Sequence, residues 1–318
     1  MGFKIIGTGK KLPERVVSNN ELAEFIDTSD EWITSKTGIK TRRICTNESA
    51  SDLAAEASRI AIEKSGLEAA DIDMIIGATI SGSFVTPALS CSIMQKIGLK
   101  CPAFDVNAAC SGFVYALDVA KAYLSSGNIN NILIVCAEMM SGIVNWNDRN
   151  TCILFGDGAG ACVVTKGSAD KYMNLGADGS IGPLYLKTGT GNNPFRSSKI
   201  EQGFLQMQGQ DVYKFAVKTV DEEIQLALDK LRMSAEDVDH FILHQANKRI
   251  IDGIRRRLRQ PAGKFPVNID KYGNMSAASI PVLLDEMLCD NKIKPGDTIV
   301  FVGFGAGLTT GTCVMTWE

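Results

Sequence analysis

The chain has 318 residues and a mass of 34.3 kDa, and its 33 basic and 36 acidic side chains leave a formal charge of −3. With 45% hydrophobic and 22% charged residues this is the profile of a globular protein with a large core, and it argues against nucleic acid as the main partner. Nine cysteines without a Cys-x-x-Cys pair, beside only two histidines, exclude zinc-ligand spacing and predict reduced thiols in a cytoplasmic protein.

At the N-terminus Phe3-Lys4-Ile5-Ile6 leads into Gly7-Thr8-Gly9 with no apolar signal segment, and reads as the start of the mature chain. The run 73–77 is a short apolar stretch introduced by an acid, predicted to be a buried strand. The charge-free stretch that follows, up to Lys96, is broken by Ser81, Ser83, Thr86 and Pro87 and cannot span a bilayer. A second strand is predicted at 102–106. The small-residue turn 107–112 then opens a helix with an apolar stripe at Phe113, Ala116, Leu117, Ala120 and Leu124, ending at Ser125-Ser126-Gly127. A third strand is read at 132–135, and the glycine turn 156–160 leads into a β-rich run. Segment 179–201 is rich in Gly, Asn, Ser and Pro and is predicted to be a linker or surface loop.

The second half repeats this order. Strands are predicted at 239–243, 266–270 and 298–301; the turn 273–279 opens a helix with Pro281 in its first turn, and the glycine turn 303–307 comes last. Strands 73–77 and 239–243 are offset by 166 residues. Four matched pairs in one order predict a duplication with halves 1–170 and 171–318, built on parallel sheets that helices cover on both faces.

Cys110 ends a strand and begins a helix among Ala108, Ala109, Ser111 and Gly112, where backbone N–H groups and the positive helix end favour the nucleophilic thiolate. Cys136, Cys162 and Cys313 read as buried structural thiols. His244 closes a strand in the equivalent place of the second half, whereas His240 sits near a strand start. A duplicated α/β fold points both sets of strand ends at one crevice, so Cys110, His244 and Asn274 are expected to converge. Around Gly303–307 the backbone can approach a ligand and offer N–H groups to an oxyanion. Helix 247–260 has one apolar face, Ile250, Ile251, Ile254 and Leu258; Lys248, Arg249, Arg255, Arg256, Arg257 and Arg259 make the rest basic, as for an acidic partner or a phosphorylated ligand.

Together Cys110 in NAACSGF, His244 in HQAN, Asn274 in GNMSAAS and the terminal GFGAG resemble the Cys-His-Asn set of the β-ketoacyl-acyl-carrier-protein synthase III family, along nearly the whole chain. The resemblance implies an α/β thiolase fold, duplicated halves in a five-layered α/β/α/β/α arrangement, and a homodimer. It implies that Cys110 takes an acyl group from acyl-CoA, that His244 and Asn274 bind the thioester carbonyl of malonyl-acyl-carrier protein as carbon dioxide leaves, and that the carbanion attacks the acyl-Cys110 thioester. The N–H groups of Cys110 and of Gly305-Ala306 would hold the tetrahedral oxyanion, with Phe304 beside the departing carboxylate. Trp32 and Arg149 match the pair that sandwiches the CoA adenine, with Thr28, Lys36, Met207, Gly209, Tyr213, Ala246 and Asn247 along the CoA and pantetheine channel. Thr86 matches the residue through which the partner subunit closes the acyl pocket, and Lys214, Arg249 and Arg256 the carrier-protein docking surface. No cofactor, metal, nucleic acid or membrane is implied, since acyl-CoA is a substrate.

Two positions depart from the family pattern. Lys36 stands where arginine is usual, which loses a bidentate or stacked contact. Ala306 interrupts a glycine run and fits only with a negative φ. The alternatives are a secondary-metabolism relative with a different acceptor, which the HQAN sequence and Asn274 oppose, and an inactive partner subunit, which would have lost Cys110 or His244.

Overall fold

The computed structural model of the chain describes residues 2–189, 191 and 193–318. In the first sheet β1 (Gly2–Lys11), β2 (Met74–Ala78), β3 (Ala103–Val106), β4 (Asn131–Met139) and β5 (Asp157–Gly167) lie in the order β1-β5-β4-β2-β3. In the second, β6 (Asp170–Ala177), β7 (His240–Leu243), β8 (Thr298–Gly305) and β9 (Thr309–Thr316) lie in the order β7-β8-β9-β6. The duplication extends to single hydrogen bonds. Asp73 donates its N–H to the Asn131 carbonyl while its carboxylate accepts from the Asn131 N–H, and Asp239 does the same with Thr298. The acid that introduces each strand therefore clips it to the start of a parallel neighbour, β4 for β2 and β8 for β7.

Three expectations are corrected. The sheets are mixed: β2 runs parallel to β3 and β4, and β7 to β8, but the remaining pairs are antiparallel. Only Ala306–Leu308 joins β8 to β9, too short a link for a parallel crossover. Segment 266–270 is not a strand. There the Asn268 N–H donates to Gln245 Oε1 (3.2 Å), its amide donates to Glu286 (2.7 Å), and Ile269–Tyr272 forms a short helix. The glycines of 156–160 mostly belong to β5 and serve close packing rather than a turn, because a Cβ at Gly158 would lie 2.6 Å from Met275 Sδ and one at Gly160 2.8 Å from Val282 N.

The helices α1 (Asp30–Thr37), α2 (Ala50–Ser65), α3 (Leu89–Ile97), α4 (Gly112–Ser125), α5 (Gly209–Leu231), α6 (Lys248–Arg257) and α7 (Ser279–Cys289) complete the layers. Helices α4 and α7 lie between the sheets, each touching both. Their apolar faces form the central core with Ile134 and Phe301, and every residue of the Phe113 to Leu124 stripe is buried. Helices α2 and α3 cover the outer face of the first sheet, α5 and α6 that of the second. The result is the five-layered α/β/α/β/α arrangement. Among the described residues no helix is long and apolar enough to cross a membrane.

The glycine-rich segment 179–201 is not a linker between halves, because β6 precedes it. A ribbon that starts within it, Leu184–Tyr185 paired with Gln206–Met207, folds over the cavity described below; residues 190 and 192 of the segment lie outside those described.

Candidate active site

One cavity of about 590 Å³ collects Cys110, His244 and Asn274, which come from three separate parts of the chain. Cys110 sits in the single turn Ala109–Ser111 between β3 and α4, and Ala109 holds a left-handed φ of 47°. The turn is pinned from the other half, because Ser111 Oγ and Thr309 Oγ1 are 2.7 Å apart and Thr309 Oγ1 donates to the Ala108 carbonyl (3.1 Å). Strand β8 presses directly on it. A Cβ at Gly303 would fall 2.8 Å from Ser111 Cα, and one at Gly305 2.7 Å from Cys110 N. Glycine is required at both positions by proximity alone.

The predicted thiolate is corrected. Burial pushes the Cys110 thiol up to about 12; the nearby Glu138 carboxyl adds to this, while the Ser276 hydroxyl and the Cys110 N–H oppose it. Desolvation outweighs the helix N-terminus, so the resting form is the thiol.

His244 follows β7, its N–H bonded to the Val302 carbonyl (2.9 Å), and its ring meets Phe304 edge-on at 5.2 Å. It is 1% exposed, Nδ1 has no partner among the described residues, and burial depresses its pKa to about 3. At neutral pH it is therefore an uncharged imidazole with one N–H to donate.

Asn274 is held by main chain on both sides, donating its N–H to Leu154 O (2.8 Å) and accepting at its carbonyl from Gly156 N (3.0 Å). Its Oδ1 accepts from the Ser276 N–H (2.8 Å), which leaves Nδ2, the donor end, for the cavity. Sequence reasoning missed the residue that steadies this edge. Arg42, fully buried and lowered to about 10 by desolvation, donates to Ile153 O (2.9 Å), two residues before the Phe155–Asn274 bridge.

Most of the other expected residues line the same cavity: Trp32, Lys36, Met207, Gly209, Tyr213, Lys214, Ala246, Asn247, Arg249, Phe304, Gly305 and Ala306. The Arg149 guanidinium lies 4.9 Å over the Trp32 ring, tethered to the Asp27 carbonyl (2.8 Å), and Arg249 lies 5.9 Å over Tyr213. The Asn247 amide is held at both ends, its Oδ1 capping α6 at the Arg249 N–H and its Nδ2 donating to the Lys36 carbonyl. Ala306 has no positive φ; Gly307 and Leu308 take that conformation instead.

Thr28, Thr86, Arg149 and Arg256 are not among the cavity-lining residues. Thr86 sits on an exposed loop behind Phe84 and Val85, 61% and 101% exposed. The basic helix divides: Lys248 and Arg255 pair with Asp252, and Arg257 with Asp221, whereas Arg249 and Arg256 are exposed without a carboxylate partner among the described residues. The stripe carrying Lys248 and Arg255 is thus largely spent inside the protein. Also missed were Ile80, Met140 and Leu205, apolar cavity walls that in sequence look like any core residue. Among the described residues no group of three or more His, Cys, Asp or Glu could hold a metal ion.

Two family profiles match the chain, 3-oxoacyl-[acyl-carrier-protein] synthase III over residues 104–179 and its C-terminal region over residues 228–317. The chain is 45% identical to the β-ketoacyl-[acyl-carrier-protein] synthase III of Natranaerobius thermophilus, over 99% of both chains. Among solved structures it matches 3-oxoacyl-[acyl-carrier-protein] synthase III from Aquifex aeolicus with a TM-score of 0.92 at 41% identity, over 99% of this chain and 100% of that one. It also matches the priming β-ketosynthase of the R1128 polyketide pathway, with a TM-score of 0.93 at 33% identity over 100% and 96% of the two chains.

Proposed function

The chain belongs to the β-ketoacyl-[acyl-carrier-protein] synthase III family, and from that premise we propose how its residues divide the work. Its reaction is the decarboxylative condensation that initiates fatty acid synthesis, joining an acyl starter to a malonyl unit on acyl-carrier protein. Cys110 is the nucleophile that takes the acyl group from acyl-CoA. As its S–H bond breaks and the new S–C bond forms, the C–S bond to CoA breaks and the proton leaves with the CoA thiol. His244 and the Asn274 Nδ2 donate to the thioester oxygen of malonyl-acyl-carrier protein. An uncharged imidazole suits that role, because carbon dioxide leaves behind an enolate that needs fixed donors rather than a proton. The carbanion attacks the acyl-Cys110 carbonyl while the N–H groups of Cys110 and the Gly305-Ala306 turn hold the tetrahedral oxyanion; as this collapses the S–C bond to Cys110 breaks, which releases the 3-oxoacyl-acyl-carrier protein and returns the Cys110 sulfur, and Phe304 flanks the departing carboxylate. Every step is redox-neutral, so the residues named need no cofactor.

The observation that carries this reading is the meeting of Cys110, His244 and Asn274 in one cavity. Trp32 and Arg149 are the adenine clamp, with Thr28, Lys36, Met207, Gly209, Tyr213, Ala246 and Asn247 along the channel below. Lys214, Arg249 and Arg256 receive the acidic carrier protein. The halves 1–170 and 171–318 each supply part of the site in a cytoplasmic homodimer. Supporting the dimer are the edge of β3, unpaired among the described residues, and the exposed Phe84 and Val85 beside Thr86, which would close the partner's acyl pocket. Peptide mass mapping after acyl-CoA treatment tests the assignment: acyl mass is expected on Cys110 alone, and acyl mass on another cysteine with Cys110 unmodified would remove it.

A further inference from the structure

Four polar side chains, none of which lines the cavity, join the segment of His244 to the segment of Asn274. After β7, His244 and Ala246 face the cavity, and Gln245 between them is fully buried away from it. The Gln245 Nε2 donates to the Leu243 carbonyl (2.8 Å), and its Oε1 accepts the Asn268 N–H (3.2 Å). Asn268, also buried, passes the link to α7, where its Nδ2 donates to Glu286 Oε2 (2.7 Å). The other oxygen of that carboxylate, Oε1, accepts from the Tyr272 hydroxyl (2.6 Å) and lies 3.4 Å from Lys10 Nζ. Glu286 therefore grips both ends of the short helix Ile269–Tyr272, which stops just before Asn274.

The main chains of the two donors are anchored in different places. His244 is bonded to Val302 in β8 of the second sheet, whereas Asn274 is bonded to Leu154 and Gly156, in the first half of the chain. An enolate oxygen needs both donors aimed at one point, to within about 0.5 Å. Buried amides and carboxylates are costly unless paired, and apolar side chains would fill the same space without that demand. What a paired polar network adds is a fixed distance and angle where apolar contacts can slide. We propose that Gln245, Asn268, Tyr272 and Glu286 form a strut that sets the spacing of His244 and Asn274, so that the imidazole and the Asn274 Nδ2 converge on one thioester oxygen. None of the four touches the reacting atoms, so all are positioning residues. The proposal rests on the reading that His244 and Asn274 serve decarboxylation rather than acylation of Cys110.

The test compares the two half-reactions in full-chain variants of the strut. Acylation of Cys110 by acyl-CoA is read by intact mass, and decarboxylation of malonyl-acyl-carrier protein by released carbon dioxide. Glu286→Leu removes both of the hydrogen bonds that Glu286 accepts. It is expected to lower kcat for decarboxylation by about 10- to 100-fold, the range for a misplacement of up to about 1 Å, with KM nearly unchanged and Cys110 acylation within about twofold of the parent. Glu286→Gln should recover most of that loss, because its amide can accept from Asn268 and donate to the Tyr272 oxygen. Tyr272→Phe deletes one hydroxyl and keeps the ring, so it should show a smaller loss in the same half-reaction, and it preserves the comparison if Glu286→Leu does not fold.

Asn274→Ala, run alongside, separates this proposal from the reading beneath it. Equal loss of both half-reactions in Asn274→Ala would remove the roles on which the strut depends. Selective loss of decarboxylation in Asn274→Ala, with none in Glu286→Leu or Tyr272→Phe, would overturn the strut alone. So would equal losses of both half-reactions in the strut variants, or no recovery in Glu286→Gln, either of which would make the network purely structural.

Discussion

Gly305→Ala adds one methyl group to the back of the nucleophile turn. Gly305 has φ −167° and ψ −162°, extended backbone open to any residue, so the substitution acts through space alone. The new Cβ would lie 2.7 Å from Cys110 N, 3.1 Å from Ala109 Cβ and 3.2 Å from Cys110 Cβ. Neither side yields easily, because β8 is fully buried between β7 and β9 and the turn is tied to Thr309. Overpacking of this kind costs about 1–3 kcal/mol of stability. Moving the Cys110 N–H away from the oxyanion should cost about 10²–10³ in acyl-transfer rate, the usual loss for one such donor. Single-turnover acylation of Cys110, followed by mass, measures this, and a thermal melt separates it from unfolding. Decarboxylation of malonyl-acyl-carrier protein, which the proposed roles give to His244 and Asn274, should fall much less. A folded variant that acylates Cys110 at the parent rate would refute the oxyanion assignment.

Asn274→Ala should abolish malonyl decarboxylation while retaining much of the acyl transfer, and equal loss in both half-reactions would make Asn274 structural. His244 gives a pH signature. Its folded pKa near 3 lies below the unfolded value near 6.5, so the unfolded chain binds the extra proton and stability is lost as pH falls from 6.5 toward 3, by about 2 kcal/mol at pH 5. Denaturant titrations at pH 7 and pH 5 should show this loss in the parent and not in His244→Gln; equal losses would mean that His244 is not held neutral. Arg249→Glu with Arg256→Glu should weaken use of malonyl-acyl-carrier protein more than Cys110 acylation by acyl-CoA, and added salt should slow the parent more than the double variant. Unimpaired turnover of carrier protein by the variant at low salt would leave that face without a docking role. Thr86→Phe should shift preference toward acetyl-CoA in assays with an acyl-CoA panel, and an unchanged profile would remove Thr86 from the gate.

Cys110, His244 and Asn274 were legible in sequence as residues that meet in one cavity because the two halves repeat one order of elements, with Cys110 and Asn274 at matched small-residue turns and His244 at the end of a strand. The layers were legible for the same reason, through apolar stripes such as that of α4. What escaped depends on contacts no local pattern encodes. Glu138 reads as an acid interrupting an apolar strand, and only the fold brings its carboxylate to the N–H groups of Ile80 and Ser81. The state of the Cys110 thiol was misjudged because helix position is visible in sequence and depth of burial is not. Segment 179–201 reads by composition as a linker or surface loop, yet the ribbon that starts within it supplies Leu184 and Met207 to the cavity wall.

The central claim is that the acyl group on Cys110 is joined to a malonyl unit with loss of carbon dioxide. Its most direct test is the intact mass of the carrier protein after malonyl-acyl-carrier protein and acyl-CoA are mixed with the parent chain and with Cys110→Ala. The parent should convert the carrier protein to the 3-oxoacyl form, lighter by carbon dioxide and heavier by the starter acyl group, and Cys110→Ala should not. Unchanged malonyl-acyl-carrier protein beside a fully acylated Cys110, or 3-oxoacyl product from Cys110→Ala, would contradict the account.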